Sequence, residues 1–314
     1  MSSFVPDQPV PNGVAPSPRN IRAGILGYAA GDALGVPWEG KTSEEVNWEA
    51  LEDLPARGDW PQGSTSDDTA QLLLVAQYLV ESKGQVNRRE FLTRLATALP
   101  GMRGVGSTTT AAVRRFIQTG KTHAAEGGSI GAAMRALPFG WATPATAADQ
   151  RRDLTIRLSE TTHGARAAII SACVVATMAA WAIEQHPIEA VVTAGLREAD
   201  HLAKLYALDP AILRPFRQAA DGDWGPHKPG RPLDAVTTVA SVLHVLREAT
   251  ELELAMKSAV ALGGDTDTTA AIVGGILGCR LEDVEGEIRW LDRVVLPSPE
   301  MVEATAAGLY ELRR

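Results

Sequence analysis

The sequence predicts an all-α fold, a compact single-domain arrangement of many helices, and three observations carry that prediction. Apolar residues recur at intervals of three and four, as in Leu72, Val75, Ala76 and Leu79, whereas the strict alternation of a half-buried strand is scarce. Leu, Ala and Val are plentiful and aromatic residues make up only 5% of the chain, a composition rich in helix formers. No internal repeat and no long polar linker divides the 314 residues, so helices from both chain ends are expected to meet in one core.

Residues 1–18 contain four prolines before position 18 and little that is apolar; they are expected to form a disordered or loosely ordered lead-in to a domain spanning 19–314. A first helix is predicted over Arg19–Ala30, ended by the turn-forming run Gly31-Asp32-Ala33-Leu34-Gly35-Val36-Pro37. Between Lys41 and Gly63, two prolines and two glycines predict an irregular loop. Ser66 then caps a helix carrying Asp68 to Val80. Helical periodicity resumes over Arg88–Leu99, Ser107–Gln118, Ile130–Leu137, Ala145–Leu158, Ala165–Ile183, Ile188–Tyr206 and Ala211–Ala219. It continues over Leu233–Ala249, Glu251–Leu262, Asp265–Cys279, Leu281–Trp290 and Pro299–Leu312.

Composition also excludes function classes. A formal charge of −8 with no basic block argues against a general nucleic-acid or membrane-surface binder. Cys173 and Cys279 lie in apolar runs without C-x-x-C or Cys/His spacing, and are expected to be buried reduced thiols. The N-terminus lacks the charged and apolar regions of a signal peptide. The longest apolar run, Ala167–Ile183, falls short of the ~20 residues a membrane span requires, so a buried central helix is expected. A soluble cytoplasmic protein is expected on these grounds, and a monomer is expected separately, since the sequence is silent on oligomeric state.

Two stretches carry the chemistry. Ser66-Asp67-Asp68-Thr69 and Gly263-Gly264-Asp265-Thr266-Asp267-Thr268-Thr269 each place hydroxyls and carboxylates at the start of an apolar helix. Backbone N–H groups and the helix dipole favour negative charge there, and one aspartate in that position is ordinarily a cap. If the two clusters meet, four carboxylates converge, and like charges in a dry site require protons, an ion pair or a divalent cation. Neither cluster contains His or Cys, so oxygen-seeking Mg²⁺, Mn²⁺ or Ca²⁺ is favoured over zinc or copper.

In order, Gly31-Asp32-Ala33-Leu34-Gly35, Ser66-Asp67-Asp68-Thr69 and Gly264-Asp265-Thr266-Asp267-Thr268 resemble the ADP-ribosylglycohydrolases, from about Ile21 to about Gly308. That family includes dinitrogenase reductase-activating glycohydrolases, ADP-ribosylarginine and ADP-ribosylserine hydrolases, and eye-lens crystallins that use the fold only for packing. The resemblance implies an all-helical fold with a central cleft holding two Mg²⁺ (or Mn²⁺) ions. Ser66, Asp67, Asp68 and Asp267 would bind the first; Asp265, Asp267 and Thr268 would bind the second. Many members carry Thr at the place of Ser66, which offers the same ligand oxygen.

The resemblance also gives roles to residues that are ambiguous alone. Glu39 is by itself an ordinary solvated glutamate; the family carries an acidic residue at this place, implying the catalytic acid/base. Arg103-Gly104-Val105-Gly106-Ser107 is either a plain turn or a loop that wraps a diphosphate. The nitrogenase-reductase type has aspartate where Gly104 stands, so this form looks more like the serine-directed branch. Ser129, Ile130 and Gly131 match a ribose-and-phosphate loop in which Ile130 replaces asparagine. His163, after Thr162, matches a ligand-touching histidine, and Arg231 stands near the place of an adenine-stacking ring that this chain lacks. The implied partner is an ADP-ribosylated protein or a small ADP-ribose conjugate.

Overall fold

Helix formation follows the apolar periodicity through most of the chain, and the structure, a computed structural model, describes residues 15–228 and 231–314. Among the described residues there are thirteen α-helices and no strand, which makes the fold all-α. They are α1 (Pro18–Gly35), α2 (Asp67–Glu81), α3 (Arg88–Ala98), α4 (Ser107–Thr119), α5 (Leu137–Trp141), α6 (Ala148–Ser159) and α7 (Arg166–Ile183). The rest are α8 (Ile188–Leu205), α9 (Arg214–Asp221), α10 (Ala235–Glu248), α11 (Leu252–Ala261), α12 (Thr266–Gly278) and α13 (Pro299–Arg313). Most of the expected lead-in, residues 1–14, lies outside the described residues.

The first helix is longer than the sequence predicts. It begins at Pro18, whose fixed φ suits a first helical position, behind a capping box made by Ser17 and Asn20. It then runs through the expected turn to Gly35. Gly27, Gly31 and Gly35 fall four residues apart on one face, and that face lies directly on the backbone of α12. A Cβ at Gly31 would stand 2.2 Å from the Ala270 carbonyl oxygen, and one at Gly35 2.4 Å from the Asp267 backbone. Packed helices with ordinary side chains keep their axes about 8–10 Å apart. Glycine removes that separation, and its usual helix penalty of roughly 0.5–1 kcal/mol is offset by the buried contact.

Two further segments depart from the periodicity. Ile130–Leu137 is a 3-10 turn (Ile130–Ala132) followed by turns, and helix resumes only at Leu137, with Pro138 in the first turn of α5 where its missing N–H costs nothing. Leu281–Trp290 contains no helix. The Asp283 carboxylate accepts the Glu285 amide at 3.0 Å, a local bond that competes with helical pairing, and buried Trp290 donates to the Ala30 carbonyl at 3.1 Å.

α7 is long and apolar enough to cross a membrane by length and composition, but 83% of it is buried by its neighbours, as a core helix is. Cys173 on α7 and Cys279 after α12 are both buried free thiols. The C-terminal helix closes the fold: Arg313 donates to the carbonyls of Gly140 (2.9 Å) and Thr143 (2.7 Å) and pairs with Glu184.

Substituting Gly31→Ala is expected to destabilise the protein by about 3 kcal/mol or more, because the new methyl meets a main-chain oxygen that cannot rotate away. Urea denaturation checks this; a loss below about 1 kcal/mol would contradict the helix-on-helix contact described.

Candidate functional site

The seam between α1 and α12 delivers one acidic cluster, and a bracket from α1 delivers the other. Asp32 is fully buried, and its carboxylate accepts the Ser66 amide (3.1 Å), the Thr69 amide (3.1 Å) and the Thr69 hydroxyl (2.6 Å). It therefore holds the N-terminus of α2 against α1. On the other side, Thr266 at the start of α12 donates to the Gly35 carbonyl at 2.8 Å. The first turns of α2 and α12 thus face each other across the end of α1. Asp68 lies within electrostatic reach of the second cluster: after burial, the Asp265 charge raises its pKa and the Thr268 side chain opposes that rise.

Within the site, Ser66 caps α2: its hydroxyl accepts the Asp68 amide at 3.0 Å and donates to the Asp68 carboxylate at 3.1 Å. Asp68 also accepts the Tyr28 hydroxyl at 3.2 Å, Asp67 accepts the Gln71 amide, and Asp265 accepts the Thr238 hydroxyl at 2.8 Å. Asp265 precedes α12 but does not cap it through its side chain. Asp67, Asp68 and Asp267 are all buried. None of the lysine or arginine ion pairs seen among the described residues reaches Asp32, Asp67, Asp68, Asp265 or Asp267.

Burial without a cationic partner disfavours the charged carboxylates, and the neighbouring negative charges add to it. Burial chiefly, opposed by its hydrogen bonds, pushes Asp32 up to about 6. Burial, with the charges of Asp32 and Glu39, pushes Asp67 up to about 7. Asp68 and Asp267 are held well above the ordinary carboxylate range, first by burial and then by the surrounding acids. An all-oxygen set of buried, uncompensated carboxylates with flanking Ser and Thr hydroxyls fits a hard divalent cation by its chemistry. As they stand, no three acidic, histidine or cysteine side chains among the described residues converge closely enough to ligate one ion. Asp67, Asp68 and Asp265 each accept one of the side-chain bonds given above, from Gln71, Tyr28 and Thr238.

Glu39 follows α1 by four residues and borders this cluster; its charge acts on both Asp67 and Asp267. Its segment is pinned to the metal-loop candidate by two backbone bonds, Gly40 N–H to Gly264 (2.8 Å) and Gly264 N–H to Lys41 (2.7 Å). The carboxylate is ion-paired to Arg57, whose guanidinium lies 5.1 Å from the Trp60 ring centre. Trp60 in turn abuts Gly104: a Cβ there would stand 3.1 Å from the ring and 3.3 Å from an Asp67 oxygen.

The remaining predicted residues surround that centre. Arg103, Gly104, Gly106 and Ser107 form an exposed edge at the start of α4. Ser129 is half-buried, and buried Gly131 lies against the His163 ring. His163 is fully buried, with Nδ1 2.8 Å from the Thr162 hydroxyl and Nε2 3.0 Å from the Ser129 hydroxyl. Ile130 is partly buried and packs on the core. Arg231 stacks 4.4 Å from the Trp224 ring centre, and His227, whose charged form both burial and Arg231 disfavour, packs on Gly264. Sequence reasoning missed Tyr28, Arg57, Trp60, Gln71 and Thr238, and gave no role to Arg135 or Thr162. Arg135 did leave a signal, as the lone charged residue in the apolar run from Ala132 to Phe139.

A family model described as ADP-ribosylglycohydrolase matches residues 15–314. An uncharacterized protein of Archaeoglobus fulgidus is 28% identical over 302 residues, covering 92% of this chain and 95% of that protein. ADP-ribosyl-(dinitrogen reductase) glycohydrolase of Rhodospirillum rubrum is 27% identical over 283 residues, 86% of this chain and 88% of that enzyme. Among solved structures, an ADP-ribosylglycohydrolase-related protein complex superposes with a TM-score of 0.75 at 30% identity, covering 94% of this chain and 99% of that one.

The raised carboxyls set a direction for pH dependence. In chelator the folded state holds protons on Asp32 and Asp67 that the unfolded chain, titrating near 3.9, has already released. Stability is therefore expected to rise as pH falls from 8 to 5, by an amount on the order of a few kcal/mol. Thermal melts in EDTA across that range check it, and a Tm that instead rises with pH contradicts the account.

Proposed function

The chain belongs to the ADP-ribosylglycohydrolase family and is a glycosidic-bond hydrolase; from that premise we propose that it is a Mg²⁺-dependent enzyme cleaving ADP-ribose from a modified protein side chain, serine or arginine, or from a small acceptor. The observation that carries this reading is that the end of α1 holds both acidic helix starts, Asp32 accepting from Ser66 and Thr69 and the Gly35 carbonyl accepting from Thr266, with no lysine or arginine ion pair to their aspartates among the described residues. Ser66, Asp67, Asp68 and Asp267 would hold one ion, and Asp265, Asp267 and Thr268 a second, with Mn²⁺ as an alternative metal. A divalent cation held by these residues would supply positive charge and Lewis acidity to the reaction.

The chain's own residues supply the rest. Glycoside hydrolysis requires a proton for the leaving group and a base for water, and Glu39 would exchange it; its partial exposure and its charge acting on Asp67 and Asp267 support that role. Arg57 and the Gly264 backbone fix where that carboxylate sits. The exposed edge formed by Arg103, Gly104, Gly106 and Ser107 offers backbone N–H groups for a diphosphate, and Ser129, Ile130 and Gly131 line the ribose side with His163 behind them. The half-buried Arg231, supported on Trp224, offers a guanidinium face for adenine. No acidic side chain stands at position 104, which favours a neutral acceptor such as serine over arginine.

A second reading keeps the chemistry and changes the ligand to another nucleotide-sugar conjugate. Ile130, an apolar side chain in the ribose-and-phosphate loop, and the Arg231–Trp224 stack in place of a free aromatic ring favour it. Release of ADP-ribose from ADP-ribosyl-serine peptide, ADP-ribosyl-arginine and O-acetyl-ADP-ribose, each with Mg²⁺ or EDTA, tests both readings by chromatography. Turnover of none of the three supports the second reading.

Asp267→Ala is expected to abolish turnover and the Mg²⁺-dependent rise in Tm together, because one carboxylate is assigned to both ions. Undiminished Mg²⁺-dependent turnover in that variant refutes the shared ligand. Glu39→Gln should lower kcat about 10²–10⁴-fold and leave ADP-ribose binding by calorimetry intact. Equal losses in binding and kcat would move Glu39 from proton transfer to ligand contact.

A further inference from the structure

Beneath the site runs a buried polar chain that the reaction does not by itself require. Arg135 is only 1% exposed and has no carboxylate ion pair among the described residues; its guanidinium lies 5.3 Å from the Phe91 ring centre. One of its terminal nitrogens donates to the Gln71 side-chain carbonyl and the other to the Thr162 hydroxyl. From Gln71 the chain continues to Asp67. From Thr162 it continues to His163 and then to the Ser129 hydroxyl, at 2.8 and 3.0 Å.

Arginine can only donate, and that fixes the sense of every later bond. Gln71 must turn its carbonyl to Arg135, so its NH₂ faces Asp67. A flipped amide would set donor against donor on one side and carbonyl against carboxylate on the other. On the second arm the Thr162 hydroxyl accepts from Arg135, and its one hydrogen is left for His163 Nδ1. The opposite tautomer, with Nδ1 donating, would leave that hydroxyl hydrogen without an acceptor at a position only 1% exposed. His163 therefore accepts at Nδ1 and donates from Nε2–H to Ser129. Burial first, and then the charge of Arg135, hold His163 neutral by lowering its pKa to about 3. Ser129 accepts from the ring and is half-buried, so its own hydrogen is free to point outwards.

The geometry points to Arg135 as a positioning residue that sets both halves of the site. Through Gln71 it orients the Asp67 carboxylate, and through Thr162 and His163 it makes Ser129 a hydroxyl donor to an oxygen of the bound ligand, a phosphate or ribose acceptor. Hydrogen bonds in such a chain polarise one another, so the two arms respond to a single charge. The ligand half rests on the function proposed above; the tautomer does not.

The test uses the full chain with ¹⁵N-labelled histidine. Long-range proton–nitrogen correlation reads the ring tautomers, and loss of one signal set in His163→Gln assigns it. At pH 7 in EDTA, the Nε2–H form is expected; the Nδ1–H form or a charged ring overturns the proposal. Thr162→Val, which keeps the shape and removes the hydroxyl, should abolish the fixed tautomer. It should also weaken ADP-ribose binding about 5–10-fold by calorimetry, with Mg²⁺ binding unchanged. Gln71→Leu should do the reverse, weakening Mg²⁺ binding by a similar factor with the tautomer intact. Ser129→Ala should match Thr162→Val in ADP-ribose affinity, and the double variant should add little to either, which mere loss of packing would not produce. Additive losses, or Thr162→Val with unchanged tautomer and affinity, overturn the proposal. If the parent protein binds no ADP-ribose, the reading of its substrate and the ligand half of this chain fall together, while the tautomer still decides the part of Arg135.

Discussion

The site depends on a place where two helices touch through their main chains. α1 and α12 come from opposite ends of the sequence, and the glycines of α1 let the backbone of α12 lie directly on it. An ordinary side chain at Gly31 or Gly35 would push α12 outwards by the width of a methyl group or more. The displaced residues would be Thr266, Asp267 and Thr268, which carry the second acidic cluster. A helix pair packed main chain on main chain therefore carries a cluster of buried aspartates at one of its ends.

Asp32 explains how that end is completed. It belongs to α1, yet its carboxylate is consumed in holding the start of α2. A buried carboxylate with three protein donors is a structural bracket, and the carboxylates it gathers, Asp67 and Asp68, are left with fewer donors and more negative neighbours. Desolvation and like-charge repulsion then raise all of them, which is the electrostatic condition that suits binding of divalent cations or protons.

Around this centre the surroundings are asymmetric. On the Glu39 side the groups are partly exposed and held by an ion pair, a stacked tryptophan and two backbone bonds, so the Glu39 carboxylate has its position set from outside the core. On the Ser129 side control comes from beneath, through Arg135, which is surrounded by protein. One side of the acidic cluster is thus bordered by partly exposed loop residues and the other by a buried charge.

Much of this was legible in the residues and their spacing. Period-three-and-four apolar patterns determined that the chain is helical, because an amphipathic helix needs only local sequence to show which face is buried. The two acidic clusters were visible as well, since Ser66, Asp67 and Asp68 announce a helix start by their cap chemistry. Tertiary structure decided what those features meant. Gly31 and Gly35 have the same local signature in a turn and in a helix pressed on another backbone, and only the presence of α12 separates the two. Arg57, Trp60 and Thr238 carried no signal, because two loop residues and a buried helix threonine join the candidate site only when chain closure brings Glu39, Gly104 and Asp265 to them. Sequence specifies local conformation through short-range sterics and hydrogen bonding, whereas which distant charges must share one dry volume is settled only when the chain is packed.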